Sequence, residues 1–221
     1  MLGAVAALGE EPPPVLAFNL GRLGYLAENP PDSFPRLVRR ALAGDLRRSL
    51  RMRVEGNLVS PRRRWRRLAL NEFVLASRLT GRLLPLAVRV DGERLMDIRG
   101  DGIVVGTPTG STAYALAAGG PVASPELAAI ILAPICPHQL ANRSLVLDPG
   151  ETVSLEHFND RPVELLADGR PCLEMEGEER LEVRMSSSPV AFLSPGTAKY
   201  EMLRVKLGWG RKNGSGDEER R

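Results

Sequence analysis

The stretch Arg99-Gly100-Asp101-Gly102-Ile103-Val104-Val105-Gly106-Thr107-Pro108-Thr109-Gly110-Ser111-Thr112-Ala113-Tyr114-Ala115-Leu116-Ala117-Ala118-Gly119-Gly120 carries the residue types best suited to holding a ligand. Ile103 to Val105 predict a buried strand. A turn rich in Gly, Thr and Ser follows, in which backbone N–H groups can converge on an anion. A small-residue helix is expected from about Ser111 to Ala118. Its N-terminus adds the positive end of a dipole, and its alanines let a flat ligand approach the backbone. Asp101, at the mouth of the strand, is a hydrogen-bond acceptor, and Tyr114 offers a ring for stacking. The same composition also suits an ordinary strand–turn–helix whose hydroxyls only cap the backbone.

Two other groups invite a chemical reading. Cys136 and His138, with one residue between them, fall short of a four-ligand zinc site, and His157 is not obviously near them. A structural use is expected for these residues, and no metal site is assigned. The run Arg62-Arg63-Arg64-Trp65-Arg66-Arg67 has the guanidinium and aromatic content to grip nucleic acid. It falls between two expected strands, where a solvated hairpin tip is the favoured reading, and nucleic acid is not an expected partner.

The elements that must position these residues change in texture along the chain. Residues 1–9 have helical spacing, and Glu10 to Pro14 break it. Val15 to Phe18 read as a short buried strand and Asn19 to Gly24 as a tight loop. Asp32 or Ser33 can cap a helix with Pro35 in its first turn. Phe34, Leu37, Val38, Ala41 and Leu42 would share one face of it, and Gly44 would end it. This strand–loop–helix order is α/β in character. From about residue 55 to 190 the chain reads as mainly antiparallel β. Asp91-Gly92 and Asp168-Gly169 sit between apolar runs, a strong hairpin signal. Thr197 to Leu207 again have helical spacing, and 211–221 form a charged tail expected to be disordered.

Composition bounds the rest. With 221 residues, 43% hydrophobic and 26% charged, the chain is an ordinary globular one of one large or two small domains. No apolar run approaches the roughly 18 residues of a membrane helix, and no membrane partner is expected. The apolar start lacks a positive leading region and is not read as a signal peptide. Two cysteines make no disulfide framework, which favours the cytoplasm. The net charge of +3 hides an asymmetry. Residues 36–67 carry twelve arginines against Asp45 and Glu55, while residues 148–182 carry eleven acids against Arg161, Arg170 and Arg180. The plainer expectation is that the two regions face different solvent; the other is recruitment of an acidic partner.

Gly100-Asp101-Gly102 followed by Thr107-Pro108-Thr109-Gly110-Ser111-Thr112-Ala113-Tyr114 resembles the signature of the NAD kinases. Asn19-Leu20-Gly21-Arg22-Leu23-Gly24-Tyr25-Leu26 and Leu70-Asn71-Glu72 resemble further segments of that family. So do Pro134-Ile135-Cys136-Pro137-His138, Arg143-Ser144-Leu145-Val146 and Lys206-Leu207-Gly208-Trp209. The resemblance spans about residues 2–210 in order. It implies transfer of a phosphoryl group from ATP, or polyphosphate, to the 2′-hydroxyl of the adenosine ribose of NAD, giving NADP, with Mg²⁺ accompanying ATP.

By the same resemblance Asn71 and Glu72 contact the dinucleotide, Arg99 and Asp101 border it, and Thr109, Thr112, Ala113, Tyr114, Ala115, Leu116 and Ala117 line the pocket. Arg170 holds a position where relatives often place a polar ligand contact. The implied fold is α+β: the remnant of a Rossmann-like α/β domain (1–54), then a sandwich-like β domain that binds nucleotide (55–190). A helix-containing segment packing back on the first domain (191–210) and the tail (211–221) complete it. A dimer or tetramer is implied. The family's Gly-Gly-Asp-Gly-Thr motif, whose Asp is taken to deprotonate the ribose hydroxyl, is not found in these 221 residues. The expectation is that the motif lies upstream of Met1, that no catalytic residue is assignable here, and that the chain as given has little kinase activity. The alternative is a non-catalytic NAD- or NADP-binding protein partnering a full-length relative.

Overall fold

The computed structural model describes residues 1–20, 27, 29–77, 83–139, 141–158, 162–196, 200, 203, 204 and 207–209. The chain divides into two compact units. One comprises Met1, Pro14–Ser49 and Phe192–Arg221, and the other Leu2–Pro13 and Leu50–Ala191.

The larger unit is built from the alternating segments. β2 (Val54–Val59), β3 (Trp65–Ala69), β4 (Glu72–Ala76), β5 (Leu84–Val90), β6 (Glu93–Gly100), β7 (Gly102–Gly106) and β8 (Ile130–Ile135) come first. They are followed by β9 (Leu145–Leu147), β10 (Thr152–His157), β11 (Val163–Ala167), β12 (Arg170–Met175) and β13 (Arg180–Met185). Two six-stranded sheets result, with strand orders β3-β2-β13-β10-β5-β6 and β12-β11-β4-β7-β8-β9. β1 (Arg47–Arg51) and β14 (Val190–Ser194) form a two-stranded sheet of their own. The hairpins β5–β6 and β11–β12 turn at the two Asp-Gly pairs, as expected. Asp91 and Gly92 have φ of 49° and 82°, and Asp168 and Gly169 have 50° and 74°. These are the left-handed conformations that a tight turn matched to strand twist requires.

Side-chain alternation explains the layers. Phe73 and Leu75 of β4, Ile103 and Val105 of β7, and Ile130 and Leu132 of β8 face a core shared with Leu84, Leu86 and Val88 of β5 and Val153 and Leu155 of β10. Their neighbours Val74, Val104, Ile131 and Ala133 form a second cluster with Ala115. The sheet holding β4, β7 and β8 is therefore buried on both faces, which is why β7 and β8 read as unbroken apolar runs. The other sheet turns Glu55, Asn57, Glu182 and Arg184 to its opposite face.

The charge asymmetry resolves differently from the expectation of separate solvent faces. Arg62 meets Glu176 and Glu178 at 3.0 and 3.3 Å, and Arg63 binds Glu179 through two nitrogens and Glu174 O. Arg66 bridges Glu10 and Glu55, and Arg184 reaches Glu55 at 2.7 Å. The arginine run starts at the exposed β2–β3 hairpin tip and is ion-paired there: Arg62 and Arg63 reach the acidic region, and Arg66 reaches Glu10 and Glu55.

α1 (Leu2–Ala7) belongs to the same unit. The chain just after it is held by Arg53, only 2% exposed, whose guanidinium donates to Gly9 O (2.7 Å), Glu10 O (2.9 Å) and Ser188 O (2.6 Å).

In the smaller unit, a 3₁₀ turn (Pro31–Ser33) leads into α2 (Phe34–Leu42), which ends at Gly44 with φ 78°. Neither Asp32 nor Ser33 caps it; the Ser33 hydroxyl donates backwards to Pro30 O at 2.6 Å. Of the expected apolar face only Leu37 is fully buried, while Phe34 and Leu42 are exposed. Val15 to Phe18 form no strand, only single parallel bridges from Val15 to Phe192 and from Phe18 to Asn29. Most of the loop after Asn19, much of the helix expected over Thr197 to Leu207, and the tail 211–221 lie outside the described residues. No helix among the described residues is long and apolar enough to cross a membrane.

Candidate functional site

Leu70, Asn71 and Glu72 enter β4 between two turns. From one side the Asp168 carboxylate accepts the backbone N–H groups of all three residues, at 3.1, 2.7 and 3.4 Å. The Asp168 N–H returns a bond to Glu72 O at 3.0 Å. From the other side Thr107 donates its N–H to Asn71 O (2.8 Å) and its hydroxyl to Leu70 O (2.7 Å), and the same hydroxyl accepts Gly110 N–H (3.1 Å). Gly106 and Gly110 make this approach possible. A Cβ at Gly106 would lie 2.8 Å from Asn71 O, and one at Gly110 would overlap the Asn71 backbone. The segment carrying Asn71 and Glu72 is therefore fixed by donors and acceptors from two distant parts of the chain.

The helix expected over Ser111 to Ala118 is not continuous. A 3₁₀ turn, Gly110–Thr112, is separated from α3 (Tyr114–Ala117) by Ala113, whose φ and ψ of −101° and −128° break the helical path. The break lets Tyr114 N–H donate to the Glu72 carboxylate. The other oxygen, Glu72 Oε2, is buried without a hydrogen-bond partner. Burial, and then the negative charge of Asp168, push the Glu72 carboxyl up to about 8, against the opposing effect of that one N–H. Burial also raises Asp168, but three N–H groups and the charge of Arg67 favour its ionised form. At neutral pH Glu72 holds its proton, and the three N–H groups on Asp168 mark it as the member of the pair built to accept.

The expected site residues separate into groups. Asn71, Glu72, Thr109, Thr112, Ala113 and Tyr114 fall on the clasped segment and the turn that holds it. Thr109 is committed to Pro125 O at 3.4 Å, and Ser111 exchanges bonds with the backbone of Ala123. Only the Thr107 hydroxyl caps the turn, by accepting Gly110 N–H; those of Thr109 and Ser111 tie the turn to the 123–125 loop. Tyr114 is 44% exposed, not a core aromatic. Ala115 is buried in the cluster on Val74 and Val104, whereas Leu116 is half-buried and Ala117 exposed. Arg170 follows the Asp168-Gly169 turn, its guanidinium against Gly3 of α1, where an added Cβ would come within 2.7 Å of it.

Arg99 and Asp101 do not join this group within the chain. Asp101 is the link by which the chain leaves one sheet at β6 and enters the other at β7, with its N–H on Ile135 O and its carbonyl accepting Ser77 N–H. β7 pairs Gly106 with Glu72 but Gly102 with Ala76. The length of the strand, about 13 Å at about 3.3 Å per residue, separates Asp101 from the clasp. Cys136 and His138 are exposed, and among the described residues no three His, Cys, Asp or Glu side chains gather into a metal site. His157 is buried on β10 with Nε2 3.1 Å from Met175 O.

Sequence reasoning missed Asp168 and the clasping glycines Gly106 and Gly110. Asp168 announces a turn by its sequence; nothing local shows that its carboxylate reaches residues nearly a hundred positions earlier.

The family profile of the ATP-NAD kinase C-terminal domain matches residues 70–194. An NAD kinase of Halorhodospira halophila is 38% identical over 215 residues, which is 94% of this chain and 69% of that protein. The chain belongs to the NAD kinase family. Two solved structures of NAD(H) kinases share its fold. Yeast NADH kinase complexed with NADH aligns with a TM-score of 0.89 at 28% identity, over 95% of this chain and 63% of that one. An NAD kinase from Archaeoglobus fulgidus in complex with ATP aligns at 0.78 and 29%, over 94% and 78%. The chain thus spans less than two thirds of the yeast protein. The NAD kinase profile begins at Leu70, the first residue of the clasp, and ends at Ser194, the last of β14.

Proposed function

We propose that this chain holds the adenosine half of NAD against Asn71, Glu72 and the Thr107–Tyr114 turn. The NAD is the acceptor in a transfer of the ATP γ-phosphoryl group to the ribose 2′-hydroxyl, giving NADP and ADP. The observation that carries the proposal is the Asn71-Glu72 pair, clasped from both sides and presenting a buried carboxyl oxygen without a partner. An amide has the donor and acceptor needed for the edge of adenine. A carboxyl suits vicinal ribose hydroxyls, and in the protonated form it also donates a hydrogen bond to a ribose oxygen. Tyr114, exposed at the start of α3, supplies a stacking face. Polyphosphate is the other donor consistent with the family.

An unactivated ribose hydroxyl needs alignment, charge neutralisation and a base. The described residues supply alignment. They do not fit a resident divalent ion, since no cluster of three metal-ligating side chains is found among them, so Mg²⁺ belongs to the proposal only as the ion ATP brings. No Gly-Gly-Asp-Gly-Thr motif occurs in the 221 residues, and no base is assigned. Arg99 and Asp101, a strand's length from the clasp, would meet the nucleotide only from a second copy, which favours a homo-oligomer. The cytoplasm, where NAD and ATP are both present, is the proposed location.

Calorimetry of the 221-residue polypeptide with NAD and NADP tests the reading. We expect binding that Asn71→Ala and Glu72→Gln each weaken at least tenfold, and little NADP formed when ATP and Mg²⁺ are added. An absence of heat and of any thermal shift with either dinucleotide would overturn it. Binding without turnover is the behaviour of the non-catalytic alternative and also of a polypeptide lacking the motif. Adding a full-length NAD kinase of the family and measuring the mass of any mixed assembly separates the two.

A further inference from the structure

The geometry points to Asp168 as a positioning residue: by accepting three consecutive backbone N–H groups it sets the orientation in which Asn71 and Glu72 are presented to a ligand. This rests on the reading above for the identity of the ligand, but its structural content stands on this chain alone.

The three bonds converge on one side chain from Leu70, Asn71 and Glu72, and the Asp168 N–H closes a ring through Glu72 O. The arrangement is specific to an ionised carboxylate. Three donors cannot be met by one amide oxygen, because the NH₂ of Asn would face N–H groups. The turn itself does not require it. Asp91, in the other Asp-Gly hairpin with the same left-handed φ, accepts one backbone N–H, from Thr152 at 2.9 Å. The two turns are alike in sequence and backbone, and only Asp168 reaches into a neighbouring strand's entry with both oxygens.

Asp168 also acts on Glu72 by charge. Arg67 of β3 favours the Asp168 anion, Arg170 follows on β12, Tyr114 is on α3, and α1, whose Gly3 lies against Arg170, has no charged side chain. Burial, and then the Asp168 charge, favour the proton on Glu72. The same side chain therefore fixes the backbone of the ligand-holding pair and keeps its carboxyl a donor.

Asp168→Asn, nearly isosteric, and Asp168→Ala are compared with the parent in the full chain without ligand. Hydrogen exchange at the amides of Leu70, Asn71 and Glu72 is expected to speed up at least tenfold in Asp168→Ala and by less in Asp168→Asn. The β4 amides after Glu72, bonded within the sheet, should not change. The Tyr114 amide resonance, which reports Glu72 ionisation, should titrate at lower pH in Asp168→Asn, because the neighbouring charge is gone. A purely structural loss would lower the melting temperature without moving that inflection. Affinity for NAD should fall about tenfold in Asp168→Asn. Unchanged exchange at residues 70–72, or an unmoved Tyr114 inflection, would overturn the assignment even if NAD binds normally. Loosened amides and a shifted inflection, with no NAD binding by the parent chain, would instead uphold the positioning role and overturn the NAD reading.

Discussion

Glu55 and Glu72 are equally hidden from solvent, each 3% exposed, and they are in opposite chemical states. Burial pushes Glu55 upward, but hydrogen bonds from Arg66, Asn57 and Arg184 outweigh it and bring the carboxyl down to about 2. Glu72 has one N–H donor, an unpartnered oxygen and the Asp168 anion as a neighbour, and it is pushed up to about 8. The difference lies in what each carboxylate is given and in what covers it: Glu55 is shielded only by half-exposed arginines, whereas Glu72 sits deeper among protein atoms. The sheet carrying Glu55 uses its outer face for a ladder of arginines and acids. The sheet carrying Glu72 covers its outer face with α3 and leaves Glu72 Oε2 without a partner at the start of the interior strand β4. Buried polar groups without partners are uncommon because they cost stability, and they concentrate where a ligand completes them.

The comparison can be broken most severely at the clasp. Gly110→Ala would drive a Cβ into the Asn71 backbone, with no flexible side chain to yield. We expect a loss of about 3 kcal/mol in chemical denaturation, along with NAD binding. A wild-type denaturation midpoint would show that the turn can move and that the clasp is loose.

Exchanging each acid for its amide sharpens the contrast, because the two should respond with opposite sign. The folded Glu72 carboxyl sits above its unfolded value of 4.5, so its contribution to folding stability is greatest below about 4.5, falls as pH rises, and levels off above about 8. Glu72→Gln removes this loss and should make the chain more stable at pH 8 by about 2 kcal/mol, while weakening dinucleotide binding. The folded Glu55 carboxyl sits below 4.5, so its contribution is present above 4.5 and is lost as pH falls toward 2. Glu55→Gln should cost about 2 kcal/mol at pH 7, and its difference from wild type should close toward pH 2. Denaturation series at pH 4, 6 and 8 measure both. Parallel pH profiles for the two variants would end the distinction drawn here.

The smallest effect belongs to the rim of the ladder. Arg62 and its partners Glu176 and Glu178 are more than half exposed. Arg62→Ala should change stability by no more than about 0.5 kcal/mol, and less at high salt.

Much of this architecture was legible from the residues. The Asp-Gly hairpins were readable because a left-handed two-residue turn is a local demand that few residue types meet. The strand β7 was readable because burial on both faces leaves no polar positions. Asn71, Glu72 and the Thr-Gly-Ser-Thr-Ala-Tyr turn could be singled out by family resemblance. The break at Ala113 could not be read, since alanines favour an unbroken helix and the competing bond from Tyr114 goes to a carboxylate 42 positions earlier. The pairing of Arg63 with Glu179 is equally invisible locally, as the partners are 116 positions apart.

The sequence by itself determined the alternation, the turns and the inventory of groups able to meet a nucleotide, because each depends on residues within a few positions of one another. Tertiary structure alone decided that Asp168 serves the entry of β4 rather than merely its own turn. It also parted Asp101 from the clasp by the length of β7, and left Glu72, unlike Glu55, holding a proton. Hydrogen bonding and charge act over a few ångströms of space, and only the folded chain says which residues lie within them.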